Sequence, residues 1–345
     1  MRKSWLLFLL CGLCLVGACQ RAAPIIPAEV EILPESPVRE IALIGAASKI
    51  RAEISGMAWC GEDLILLPQY PNRFGNGDEA FVFKIPKTKI DDYLFSQSAK
   101  PIEPIWVGFE SGDLEQSIKG FEGFEAIVFD GDQFFVSIEA RQRGSMQGYL
   151  VQGSVEGDCE AFILEPKSII SVQPQADLGN MSDETLIVYG EQLYSVYEAN
   201  GANVNSEPVA HVFDLYLEPL MEITMPNVEY RLTDATEPDA EGGFWAINYF
   251  FPGDTKLKPA LDQIAVDFGL GESHQNQNQV ERLLPFQITE DGVRLADRPP
   301  IYLELAGEIS RNWEGIVRYG DGFLLVTDLF PRTILAFVEN GNVEE

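Results

Sequence analysis

Apolar positions along this chain fall into short runs, and the runs come in pairs at a fixed distance. Five times an acidic or polar residue is followed fourteen positions later by a carboxylate or amide: Ser55/Gln69, Glu125/Glu139, Glu184/Glu198, Asp234/Asn248 and Glu314/Asp328. Inside each pair lie an apolar run, a turn and a second apolar or aromatic run. The nearest copies are Glu125-Ala-Ile-Val-Phe-Asp-Gly-Asp-Gln-Phe-Phe-Val-Ser-Ile-Glu139 and Glu314-Gly-Ile-Val-Arg-Tyr-Gly-Asp-Gly-Phe-Leu-Leu-Val-Thr-Asp328. Six residues into the unit stands Gly61, Gly131, Gly190, Ala240 or Gly320, followed each time by an acid (Glu62, Asp132, Glu191, Glu241, Asp321). Two short strands about a Gly/acid turn predict a β-hairpin. Its recurrence governs the fold before any other feature does.

Two more strand-like runs follow each of the first four hairpins. They are Ala80 to Ile85 with Pro104 to Val107, Gly148 to Val155 with Cys159 to Leu164, and Val209 to Leu217 with Leu220 to Thr224. The fourth pair, Val280 to Ile288 with Pro300 to Leu305, comes after an insertion at about 250–280. After Asp328 only Ile334 to Val338 remains, and Val38 to Ile44 at the other end of the chain supplies the missing strand. The expected fold is all-β: a propeller of five blades of four antiparallel strands, the last blade closed by an N-terminal strand so that no sheet edge stays open. A pair of strands merged within the insertion would make six blades, and a two-sheet sandwich would leave the repeated spacing unexplained.

The first nineteen residues stand outside this pattern. Arg2 and Lys3, an apolar stretch from Trp5 to Val16 and the small residues before Cys19 read as a secretory signal, too short to span a bilayer. The ending Val16-Gly-Ala-Cys19 resembles the lipobox of bacterial lipoproteins. That resemblance implies cleavage before Cys19 and lipidation of its thiol. With Gln20 rather than Asp as second mature residue, it also implies an outer-membrane address facing the periplasm. The alternative is an ordinary signal with a chance cysteine. The expected organisation is therefore a signal peptide at 1–18, a lipidated tether at 19–33 and one propeller domain at 34–345. Cys60 and Cys159 then remain in the fold. An inner turn of one blade and an outer turn of the next are expected to lie too far apart for a bridge, which leaves two free thiols. The formal charge of −30 argues against nucleic acid and anionic membrane surfaces as partners and makes a cation welcome. Membrane contact is expected only through the lipid on Cys19, and the protein is expected to be a monomer.

If the first strand of each hairpin lines the central channel, all ten paired positions crowd one mouth. Seven of them are carboxylates: Glu125, Glu139, Glu184, Glu198, Asp234, Glu314 and Asp328. Two such charges about 6 Å apart repel by roughly 3 kcal/mol at an effective dielectric near 20, so some must be protonated, paired with arginine or bound to a cation. Arg73, Arg143 and Arg332 each stand four residues after a second member. The excess of acid suits a hard, oxygen-ligated ion such as Ca²⁺. Against this stands a plain structural role, in which the acids cap backbone N–H groups of neighbouring blades. His211 sits on a third strand away from the mouth. His274 falls in a polar run of the insertion, expected to be mobile and a poor member of a catalytic triad. Lys256 and Lys258 in the insertion read either as a lid over an anionic ligand or as a solvated excursion.

Glu-Ala-Ile…Val-Ser-Ile-Glu-Ala-Arg and Trp-Glu-Gly-Ile…Leu-Val-Thr-Asp-Leu-Phe-Pro-Arg resemble blade motifs of the phytase-like esterase propellers. They are also similar to those of the SMP-30/gluconolactonase and SdiA-regulated propellers. The resemblance covers five short motifs, and it departs at Ser55, Gln69 and Asn248, where acids are replaced. It implies an extracytoplasmic propeller with Ca²⁺ and hydrolysis of a small phosphoester or ester. Two hypotheses follow. In a metal-assisted hydrolase, Glu125, Glu184, Asp234, Glu314 and Asp328 are the candidate Ca²⁺ ligands, and Glu139 or Glu198 is the general base. Arg73, Arg141, Arg143, Arg332 and Asn248 then bind a small anionic ligand. In the alternative, a non-catalytic propeller presents its mouth to an envelope protein or glycan. The arginines separate the two: a hydrolase of anions aims some inward, whereas a scaffold spends them on salt bridges at turns.

Overall fold

Four-stranded antiparallel sheets follow one another five times in the computed structural model, which describes residues 30–75, 79–96, 99–142, 144–329 and 331–341. The expected signal peptide and Cys19 lie outside the described residues. Blade one is Ile54–Cys60, Asp63–Pro68, Phe81–Pro86 and Ile105–Glu110, from the channel outward. Blade two is Phe121–Asp130, Gln133–Gln142, Ser145–Glu156 and Ala161–Leu164. Blade three is Asp183–Tyr189, Gln192–Tyr197, Val209–Asp214 and Pro219–Thr224. Blade four is Arg231–Ala235, Gly243–Phe250, Val280–Thr289 and Gly292–Leu295. Blade five is Trp313–Tyr319, Gly322–Thr327, Leu335–Glu339 and the N-terminal strand Arg39–Ile41. That last strand pairs Ile41 with Leu335 and Arg39 with Phe337, closing the ring as expected. The inner strands pack side by side in the order one, two, three, four, five and back to one.

The core is divided among the blade interfaces. Phe124, Phe134 and Val136 of blade two pack against Ile65, Leu67 and Phe109 of blade one. Comparable clusters fill the other four gaps, among them Trp245 and Ile247 against Trp313 and Ile316 between blades four and five. Each buried aliphatic or aromatic side chain contributes about 1.5–3 kcal/mol. Strands buried on both faces explain why the inner and second strands read as near-continuous apolar runs. The glycines that mark four of the five hairpins all have left-handed φ, between 58° and 63°, the conformation a two-residue hairpin turn demands. Blade four has Ala240 at that point and a longer turn, which Asp239 stabilises by accepting the Glu241 and Gly243 N–H groups.

Three expectations change. The outer strand of blade four is Gly292–Leu295, not the run from Pro300. Ile301–Leu303 instead pairs with the other half of the third strand and with Glu35–Ser36. Cys60 and Cys159 form a disulfide, with their Cα atoms 6.2 Å apart. Inner and outer turns lie at the same end of a propeller. The outer strands of blades one and two also pair directly, in parallel (Ala161 with Gly108), which draws the Cys159 turn against blade one. Finally, the insertion is packed into the fold. Leu257, Ile264 and Ala265 are buried, and Ile32–Leu33, expected in the tether, pair in parallel with Leu270–Gly271. His274 is buried too: its Nε2 accepts the Glu281 N–H, which leaves Nδ1 as the protonated nitrogen facing Glu35 Oε1 at 2.7 Å.

Candidate active site

The first member of every fourteen-residue pair sits where the inner strand's register slips against its neighbour. Slips occur between Ile54 and Gly56, Phe124 and Ala126, Asp183 and Thr185, Leu232 and Ala235, and Trp313 and Gly315. The residues skipped are Ser55, Glu125, Glu184, Asp234 (with Thr233) and Glu314. A bulge leaves one residue out of the ladder and re-aims its side chain. Bulges at one height therefore turn Ser55, Glu125, Glu184 and Glu314 towards the channel mouth, while Asp234 is turned to the backbone of blade five.

Seven of the ten paired positions then line a polar cavity of about 270 Å³: Ser55, Gln69, Glu125, Glu139, Glu184, Glu314 and Asp328. Glu122, Asn180, Arg231 and Asn312 complete much of its wall. Gln69 Nε2 donates to Glu125 Oε1 at 2.9 Å, so the amide that replaces an acid in blade one serves as a neutral partner for the next blade. Ser55 donates to the Phe124 carbonyl at 2.6 Å. Tyr249 donates to Glu314 Oε1 at 3.2 Å.

Three paired positions stand outside the cavity. Asp234 accepts the Ile316 N–H at 2.8 Å and so ties blade four to blade five, a structural capping role. Asn248 donates to the Glu229 and Arg231 carbonyls and accepts from Arg282 Nε at 2.7 Å, inside the framework. Glu198 is fully buried against Arg231, which also reaches Asp254 at 2.7 Å. A general base must reach water or substrate, and Glu198 in this position holds a cation in place instead.

The arginines anticipated at the mouth are turned elsewhere. Arg73 pairs with Glu53, Arg141 with Glu122 through two hydrogen bonds of 2.8 and 3.0 Å, and Arg332 with Glu40. Arg143 lies outside the described residues. Lys256 and Lys258 are exposed and do not line the cavity. Among the described residues the cation that lines it is Arg231, three residues before Asp234. The same phase of the repeat holds Glu122, which also lines the cavity, before Glu125, and Arg311, which is instead buried against Glu281, before Glu314. Arg282, fully buried, binds Asp262 at 2.8 and 3.1 Å and anchors the insertion by its helix cap.

Burial, first of all, raises the mouth carboxyls above their ordinary range. Glu139 is pushed up to about 8 by burial and then by the charges of Glu198 and Glu122. Glu198 is pushed to about 7 by burial, opposed by Arg231, and Asp328 to about 6 by burial. Glu125, Glu184 and Glu314 lie well above the carboxylate range, through burial and then the charge of Glu139 on the first and of Glu198 on the other two. Glu139 Oε1 and Asp328 Oδ1 are buried with no hydrogen-bond partner among the described residues. Hard oxygen donors in excess over one arginine suit a cation of the Ca²⁺ type. Among the described residues no three acidic, histidine or cysteine side chains already converge as a cage, so a cation would have to draw the carboxylates inward.

These raised values give the fold a pH dependence. A carboxyl with a raised folded pKa keeps its proton where the unfolded chain, titrating near 4.5, has lost it, so stability falls as pH rises through 6 to 8. His274, lowered by burial, acts in the opposite sense and costs stability only as pH falls below 6.5. In chelator the melting temperature is expected to be roughly 5 °C or more higher at pH 5.5 than at pH 8.5. Each pH unit separating a folded from an unfolded pKa is worth ~1.36 kcal/mol, and each kcal/mol moves the melt by about 2–4 °C. Thermal melts across this range check it; a rise towards alkaline pH would mean the mouth acids are ionised in the folded state.

No protein-family model matches the chain, and no curated protein matches it. Among solved structures it is similar to an exo-β-1,3-galactanase from Phanerochaete chrysosporium with β-1,3-galactotriose (TM-score 0.48, 10% identity, covering 88% of this chain and 64% of that one). It is also similar to a glycosyl hydrolase from Bacteroides ovatus (0.48, 10%, 91% and 95%) and to a Bombyx mori β-fructofuranosidase in complex with sucrose (0.46, 10%, 86% and 65%). Similarity at this level concerns the course of the backbone and not the chemistry of the mouth.

Proposed function

We propose that the mouth is a hydrolytic site for a small, neutral, hydroxyl-rich group, worked by carboxyls of unequal acidity and balanced by a Ca²⁺-type cation. The observation that supports this most directly is the pair of unpartnered oxygens, Glu139 Oε1 and Asp328 Oδ1, on carboxyls of different acidity lining one polar cavity. Groups pushed apart in this way divide into acid and base. Glu139, protonated at neutral pH, donates to the leaving oxygen. Asp328, ionised there, takes a proton from the attacking water. Neutral carboxyls at Glu125, Glu184 and Glu314 add donors as well as acceptors for substrate hydroxyls. Giving up their protons on binding, those three would hold Ca²⁺, which would supply positive charge against the wall they then make anionic and against the polarised substrate oxygen.

A phosphoester suits the mouth less well. Arg73, Arg141 and Arg332 are each committed to a carboxylate and Arg231 to two, so none of these four is left free to grip a dianion. A cavity of about 270 Å³ takes one small group rather than a drug-sized molecule. A panel of 4-nitrophenyl glycosides, carboxylic esters and phosphate monoesters, assayed in Ca²⁺ and in chelator, tests this reading. Glycoside turnover that chelator abolishes is expected, with a Ca²⁺-dependent stabilisation of about 2.7 kcal/mol at a hundredfold excess over Kd. Turnover of phosphate esters alone would replace the substrate class. No turnover and identical melts with and without Ca²⁺ would leave the acids as structural caps.

In the same reading the lipid on Cys19 holds the domain at the outer membrane, facing the periplasm. Cys19→Ala should shift the protein from the membrane fraction to the soluble one, since among the described residues no helix is long and apolar enough to cross a membrane. Retention of the variant on membranes would remove the lipid anchor from the account.

A further inference from the structure

An apolar cleft of about 670 Å³ opens directly beside the acidic cavity. Its walls come from three separate loops: Phe251 after the second strand of blade four, Ile309 before blade five, and Leu329 after the second strand of blade five. These three side chains are 52%, 56% and 38% exposed, large apolar groups left in water around one hollow. The cleft and the cavity share two residues, Asn312 and Asp328, which bond each other through Asn312 Nδ2 to Asp328 Oδ2 at 3.3 Å and the Asp328 N–H to the Asn312 carbonyl at 2.9 Å. Tyr249 lines the cleft and bonds Asn312 and Glu314 of the cavity with its hydroxyl.

From this continuity we infer that the ligand is bipartite, with a neutral polyhydroxy head in the acidic cavity and an apolar alkyl or aryl group in the cleft. The head belongs to the proposed hydrolytic reading; the tail is new. A head seated beside Asp328 places its substituent across the shared Asn312–Asp328 wall, where the next surface is Ile309 and Leu329 rather than water. Glu308 at the rim disfavours a negatively charged tail. Contiguous exposed apolar surface rimmed by polar groups marks a binding site, and here its neighbour states what the other half of the ligand must be.

The test uses the full lipidated chain in nanodiscs, with methyl, propyl and pentyl β-glucoside and pentanol as probes, binding measured by calorimetry against empty nanodiscs. Affinity should rise about three- to fourfold per added methylene. In Ile309→Ser/Leu329→Ser this rise should flatten while the methyl glucoside constant stays unchanged. A flat series in the unsubstituted protein, or the same slope in both proteins, would overturn the cleft as tail site. Pentanol binding as tightly as pentyl glucoside would instead overturn the polar-head reading. Glu125→Gln/Glu314→Gln should weaken every glucoside by one common factor and leave the slope intact.

Discussion

Glu139→Gln is expected to lower turnover of the hydrolysed substrate by about 10²–10⁴-fold, the usual contribution of a positioned general acid, while leaving the protein folded. The amide keeps the size and most of the hydrogen bonding of the carboxyl but cannot give up a proton. The stability readout separates catalysis from structure. Glu139 is pushed to about 8 by burial and by Glu198, so above that pH the native protein carries a buried charge that the variant lacks. The variant should therefore melt with the native protein near pH 4, where folded and unfolded native chains both keep the proton, and increasingly above it as pH rises from 4.5 to 8. Its loss of activity should also be largest on substrates with poor leaving groups, because those depend most on protonation of the departing oxygen. A variant that melts lower at every pH would show a structural acid, and one with unimpaired turnover would remove Glu139 from the chemistry.

What the sequence made legible follows from periodicity. Apolar runs about a Gly/acid turn repeat at a fixed spacing, so the hairpins could be read from residues such as Gly131 and Gly320, and the closing strand from the unmatched runs Ile334 to Val338 and Val38 to Ile44. The shared mouth followed from the same geometry. The bulges did not: a bulge leaves the spacing between Glu125 and Glu139 unchanged and shows only in the strand register. Nor could sequence tell that Asp234 faces a backbone N–H while Glu184 faces the cavity, since both occupy the same place in the repeat. The disulfide was hidden because it joins two blades, and blade contact through outer strands leaves no mark within either unit. The apolar cleft is built from single residues of three loops, and nothing in their sequence marks Phe251, Ile309 and Leu329 as neighbours. Repeats reveal what the blades share; the chemistry lies largely where they differ.

Arg231 is the clearest such difference, and Arg231→Met should be among the most damaging single substitutions at the mouth. Its guanidinium bridges Glu198, which is fully buried, and Asp254 at the start of the insertion. Methionine fills much of the same volume but leaves Glu198 without its cation, with only the neutral Glu184 carboxyl to bond it. Breaking a buried pair by removing one partner costs about 3–5 kcal/mol. Glu198 can escape part of that cost by taking up a proton. Arg231 is what opposes burial in setting its pKa near 7, so without it that pKa rises further. The penalty should accordingly be small near pH 5 and reach its full size towards pH 8, the sign expected of a carboxyl whose folded pKa has been raised. The double variant Arg231→Met/Glu198→Gln removes the stranded charge and should recover most of the loss at pH 8. Denaturant unfolding of the native protein, the single variant and the double variant at the two pH values measures all three effects. Equal stability of the single and double variants at pH 8 would mean that the ion pair carries no weight there, and that Arg231 faces the cavity for the ligand alone.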